Sequence, residues 1–149
     1  MNPVLKPLPP LGRFLLALVF VYAGIRKLSA IAATAATMEK HGIPHSDMLV
    51  WGAVALELGG GLALMLGFLA RLAALALFFY TAVLALIFHP YWTFTGEAFG
   101  LERASFYGHL SMMGGMLFVV AFGAGPYSID SLLFGRRSPA EPTALQAAE

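Results

Sequence analysis

Glu57 is the residue of this chain best placed to do chemistry, because it is the one ionisable side chain in Met48–Gly67, an apolar run of transmembrane length. At 1.5 Å of rise per residue such a run covers about 30 Å, the hydrocarbon thickness of a bilayer. A carboxylate at that depth must be neutral, paired, or open to a polar cavity between helices. Two roles follow: fixing the bundle by bonding to a histidine, arginine or tyrosine, or holding a proton for a bound quinone or other substrate. His89 and His109 are the candidates to orient Glu57 and donate to a ligand, and these three are the candidate catalytic residues. Arg26 and Lys27 would attract an anion at the mouth of the bundle. Tyr80 lies at comparable depth, and Trp92, with Tyr22, Phe78 and Phe79, offers flat apolar walls for a ligand.

Other chemistries are excluded or disfavoured. The chain has no cysteine, which removes disulfides, thiolate ligands, CxxC redox pairs and cysteine nucleophiles together. Any redox role must run through a bound cofactor, a quinone or a partner subunit. No cofactor is specified, although a quinone suits the donors and aromatics present. No metal site is expected: Gly42 and Pro44 separate His41 from His45, and Met112, Met113 and Met116 read as helix-packing residues.

Of the 149 residues 59% are hydrophobic and 11% charged, with mean hydropathy +0.78. A soluble domain needs about a quarter of its residues charged, so the composition indicates a membrane protein of one domain. A net charge of +1 gives no argument for a nucleic-acid partner. Membrane lipids, a redox partner protein and a second copy of the chain are the partners to expect.

The elements that must position Glu57 read as four spans. Residues 1–10, with prolines at 3, 7, 9 and 10, read as a tail. Helix one covers Leu11–Leu28, with Arg13, Phe20 and Lys27 seven apart on one face and Leu15, Leu18, Val19 and Val21 toward lipid. Ile31–Lys40 is a helix too short to span, and Ser46 or Asp47 caps the start of helix two, Met48–Gly67. A short connection at Phe68–Arg71 makes helix three, Leu72–His89, its antiparallel neighbour, and Pro90 ends that helix. Thr93–Ser105 reads as a polar loop, Phe106–Phe122 as a shorter last span, and 135–149 as a disordered tail. The fold class is therefore all-α: a polytopic membrane protein built as a four-helix transmembrane bundle over residues 11–134.

An even number of spans puts both termini on one side. Lys6, Arg13, Arg71, Arg136 and Arg137 share that side, against Arg26, Lys27, Lys40 and Arg103 opposite, which favours cytoplasmic termini. Arg26, Lys27, His89 and His109 then approach one mouth, with Glu57 about 15 Å below it.

The residues now in view carry a family pattern: Leu11-Gly12-Arg13-Phe14 with Phe20, Gly24 and Lys27, then Glu57-Leu58-Gly59-Gly60-Gly61, Leu66-Gly67 and Arg71, then Phe88-His89, Trp92, His109 and Gly123 through Asp130. This resembles the DoxX family of small bacterial inner-membrane proteins over about 10–134. The resemblance implies a multi-pass protein of the bacterial plasma membrane, often described as an oxidoreductase component, with relatives linked to quinol oxidation and to oxidative, thiol or quinone stress. Its matching positions are Arg13, Lys27, Glu57, Arg71, His89, His109 and Asp130, of which Arg13, Arg71 and Asp130 are expected to be structural polar residues. Thiosulfate oxidation is not carried over, because that activity needs a further soluble subunit. The expected function is a quinone- or redox-stress-linked component with a polar site at Glu57. A non-catalytic scaffold recruiting a redox enzyme and a small-molecule transporter are the alternatives.

Overall fold

A computed structural model of the chain describes residues 3–135. The C-terminal tail expected beyond Gly135, with Arg136 and Arg137, lies outside the described residues, as do Met1 and Asn2. After a 3-10 turn at Pro3–Leu5 come α1 (Leu8–Ser29), α2 (Ile31–Lys40), α3 (Ser46–Leu66), α4 (Ala70–Phe88), a second 3-10 turn (Tyr91–Thr93), α5 (Gly96–Phe122) and the short α6 (Ile129–Phe134). Among the described residues there is no strand. Four helices, α1, α3, α4 with its following turn, and α5, are long and apolar enough to cross a membrane.

The first helix begins at Leu8, three residues before the expected start, because Pro9 and Pro10 occupy its first turn. Backbone N–H groups there have no intrahelical acceptor, so proline costs nothing and supplies a helical φ. The expected cap from Ser46 or Asp47 is not formed. His45 occupies the N-cap position of α3 with φ 52°, without a side-chain capping bond.

The larger correction concerns the last span. Thr93–Ser105 is not a loop: α5 starts at Gly96 and runs unbroken through Glu97, Glu102 and Arg103 to Phe122. Its charged residues are satisfied locally. Glu97 sits in the first turn, where the helix dipole favours an anion, and Arg103 lies over the Phe99 ring at 5.1 Å.

Small residues bring the helices together. The core is Ala17 and Phe20 of α1, Leu64 of α3, Ala73, Ala74 and Leu77 of α4, and Met116 of α5. Alanine at those contacts allows the close approach on which helix association in lipid depends. Large side chains such as Leu15, Leu18, Tyr22, Phe79, Leu86 and Phe118 are exposed and form the lipid-facing surface. Val21, expected beside them, is half-buried against Gly61 of α3. The helix α2 packs along α3 at one end of the bundle, and its C-cap residue His41 lies against the Phe88 ring at 4.6 Å.

Candidate functional site

Glu57 enters the bundle where α3 departs from regular geometry. Leu56–Gly60 is one segment of π-helix, and the carboxylate belongs to its first turn. Segments of this kind insert one residue into a helix and frequently mark functional positions. Gly60 and Gly61 let the neighbouring helices close on it. A Cβ on Gly60 would lie 3.2 Å from Leu77 of α4, and one on Gly61 would lie 3.2 Å from Phe20 of α1.

Gly24 completes the approach from α1. A Cβ there would lie 2.7 Å from Leu58 Cγ and 3.2 Å from Glu57 Cβ, so glycine lets α1 touch the π segment directly. Lys27 stands three residues further on and turns its side chain to the carboxylate. Its Nζ donates to Oε1 at 2.7 Å and to Oε2 at 2.9 Å, while Tyr80 of α4 donates its hydroxyl to Oε1 at 2.8 Å. Glu57 is 1% exposed, whereas the Lys27 side chain keeps 24% of its surface open. A buried anion is thereby held by one cation and one neutral donor from two other helices.

The histidines do not reach this carboxylate; the expected Glu57–histidine bond is replaced by Lys27 and Tyr80. His89, just past α4 and turned out of the helix before Pro90, engages Glu102 through Nδ1 at 2.7 Å. His109 engages the Ser105 carbonyl through Nδ1 at 2.8 Å, and the two imidazoles lie 4.9 Å apart. They form a second polar cluster with a carboxylate of its own. Among the described residues no group of three or more histidine, aspartate or glutamate side chains is arranged to hold a metal.

The remaining candidates separate in the same way. Arg26 is exposed, and Trp92 is 56% exposed while packing edge-on against Tyr91 and Phe106. Lys27, expected at the mouth as an anion attractor, turns inward instead. Arg13 is buried and donates through Nη2 to the Tyr127 carbonyl at 3.0 Å. Asp130 accepts from the N–H groups of Leu69 at 2.7 Å and Ala70 at 2.9 Å, capping α4 from the far end of the chain. Arg71 is exposed and reaches the Ala121 carbonyl at 3.4 Å. These three arginine and aspartate side chains tie the surface formed by the start of α1, the α3–α4 turn and the end of α5.

Neither the pairing of His89 with Glu102 nor the π segment is legible in the sequence alone. Glu102 precedes His109 by seven positions, a helical repeat that becomes visible once α5 extends back to Gly96. The run Glu57-Leu58-Gly59-Gly60-Gly61 carries the composition of a close helix contact but nothing that distinguishes π from α.

The DoxX family model matches residues 8–90, which hold Lys27, Glu57, Tyr80 and His89. The inner membrane protein YqjF of Escherichia coli K12 is 36% identical over 122 residues, 82% of this chain and 88% of that protein. The inner membrane protein YphA of the same organism is 31% identical over 120 residues, 80% of this chain and 86% of that protein. Both names give a location and no reaction. No solved structure matches the chain.

Proposed function

The chain belongs to the DoxX family, and from that membership and the geometry around Glu57 we propose a redox-linked component of the bacterial inner membrane that binds a quinone-class head group beside Lys27. The observation that carries this reading is an ion pair between two membrane-spanning helices of which one member alone, Lys27, stays accessible. An ammonium has three N–H donors, and Glu57 takes two. The third is unspent and suits a carbonyl oxygen.

The donor set fits such a group in part. A quinone supplies the two-electron acceptor and needs a donor at a carbonyl and protons on reduction. Lys27 would bind and orient that oxygen, and Glu57 would keep the lysine charged within the membrane. Tyr80 would hold the carboxylate in place while its own oxygen remains able to accept. Thr81, one residue on, is fully buried with its hydroxyl unpaired, leaving one further polar group in the same stretch of α4. With no cysteine in the chain, electrons would come from a partner protein, and the cytoplasmic termini favoured by the positive charges would set the face it meets.

A scaffold without chemistry is the second reading. It is favoured by the occupancy of both Glu57 oxygens, which leaves the carboxylate engaged as a clamp between helices. Mass spectrometry of small molecules retained by gently extracted protein separates the two. Quinone held by the wild-type protein and lost in Lys27→Met and Tyr80→Phe supports the ligand site. Equal retention in all three, or none where known quinone sites keep theirs, favours the scaffold.

A further inference from the structure

The four spans leave a gap between α1 and α5. Gly12, Leu15 and Val19 on one wall and Ser111, Gly115 and Phe118 on the other flank an apolar slot, a groove of about 560 Å³ open along its outer side. Its surface end is formed by Arg13 and the Gly123–Ala124 turn. From Pro9 to Val19 the helix rises about 15 Å, half of a bilayer's roughly 30 Å of hydrocarbon. The slot therefore runs from the membrane surface to mid-depth, the length of one leaflet.

Charge is concentrated at the surface end. Arg13 is 3% exposed, and its Nε and Nη1 have no hydrogen-bond partner. Arg71 is exposed and lies over the closing turn, with Nε 3.3 Å and Nη2 3.5 Å from where a Cβ of Gly123 would stand. The nearby carboxylate of Asp130 is committed to the Leu69 and Ala70 amides. Two guanidinium groups against one carboxylate leave this end positive, a setting that attracts an anionic head group.

We propose that this slot is a binding site for an anionic phospholipid, with one acyl chain between α1 and α5 and the phosphate at Arg71 above the buried charge of Arg13. A helix of a second copy fits less well. A transmembrane helix is 10–12 Å across with its side chains and about 30 Å long, whereas the slot ends halfway through the membrane. The proposal is independent of the Glu57 site, which faces α1 and α4 from α3.

The test is native mass spectrometry of the full chain in detergent, with added phosphatidylglycerol or phosphatidylcholine of identical acyl chains. The wild-type protein is expected to retain phosphatidylglycerol at least tenfold better. Gly12→Phe should reduce retention of both lipids at least tenfold, because a Cβ at Gly12 meets open space and the ring enters the slot. Gly115→Leu, whose Cβ makes only ordinary contact with Leu16 at 3.5 Å, is the second blocking variant should the first fold poorly. Arg71→Gln should abolish the preference for phosphatidylglycerol while leaving the protein helical. Equal retention of the two lipids by the wild-type protein overturns the proposal. So does undiminished binding in folded blocking variants, or a dimer that these variants disrupt with no lipid bound.

Discussion

The ammonium of Lys27 holds both carboxylate oxygens of Glu57 although Lys27 stands almost a turn along α1 from the point where that helix touches Glu57. Gly24 of α1 lies level with Glu57, and Lys27 is three residues, about 4.5 Å of rise, further along the helix. The lysine stem spans the difference, keeping some of its surface open while the carboxylate is closed off.

Breaking this pair should cost more than deleting it. Lys27→Met strands a buried carboxylate and is expected to destabilise the detergent-solubilised protein by about 3 kcal/mol, at the low end for a buried pair because Lys27 is partly open. The double variant Lys27→Met with Glu57→Leu should recover most of that loss. A thermal or denaturant cycle of wild type, two singles and the double measures it; additive losses would show that the ion pair does not couple α1 to α3.

Tyr80→Phe removes one donor to a charged acceptor and leaves the ion pair in place. The expected loss is about 1.5 kcal/mol, typical of a hydrogen bond to a charged group. The same unfolding measurement reads it, and an unchanged stability would mean that this hydroxyl does not hold the carboxylate in solution.

Glycine substitutions should have opposite signs at two sites. Gly24→Ala drives a Cβ against Leu58 and is expected to cost about 1–3 kcal/mol, with partial rescue by Leu58→Ala. Gly108→Ala in α5 meets open space and should stabilise by up to about 1 kcal/mol through helix propensity. Equal effects at the two positions would contradict the close contact of α1 with α3.

Asp130→Ala should free the Leu69 and Ala70 amides and lower stability by about 1–2 kcal/mol, the value of a helix cap. Gly67→Ala at the same surface should be worse, since its φ is +68° and a side chain would enter the Arg13 guanidinium. Hydrogen exchange at Leu69 and Ala70 provides the local readout: protection should fall in Asp130→Ala and remain in a distant control such as Gly108→Ala.

The absence of native cysteine makes orientation directly measurable. Thr95→Cys, in the connection before α5, should react with an impermeant maleimide in intact cells whose outer membrane has been opened. Leu133→Cys, on α6, should react only after lysis. The reverse pattern would place the termini outside the cytoplasm.

The four apolar runs were legible because a membrane span needs about 20 apolar residues, and Glu57 stood out because nothing else in its run can ionise. The seven-residue repeat of Arg13, Phe20 and Lys27 also marked the face that α1 turns inward: the first two are buried and the third reaches Glu57. The partner of Glu57 was harder to read, since choosing between Lys27 and a histidine depends on how α1 rotates and how closely Gly24 lets it approach. The start of α5 was obscured because Glu97, Glu102 and Arg103 suggest a loop by composition, yet a helix projects beyond the bilayer with its charges intact. Asp130 lies sixty-one and sixty positions from the two amides it caps, and no local pattern joins them.

The π turn at Leu56–Gly60 makes the number of codons in α3 a constrained quantity. Each α-helical residue turns the chain by about 100°, and the wider π turn spreads about four residues' worth of rotation over five. Removing one residue here would therefore yield a regular helix with both halves of α3 on their present faces, whereas removing one elsewhere in α3 would swing one half around the other by about 100°. Gly59 has open space about it and could be lost without removing a contact side chain. Its in-frame deletion should therefore keep Gly61 and Leu64 on their neighbours and disturb only the turn that carries the carboxylate. A one-residue deletion at Gly59 and a one-residue deletion outside the π turn are therefore different genetic events, the first absorbed locally and the second severe.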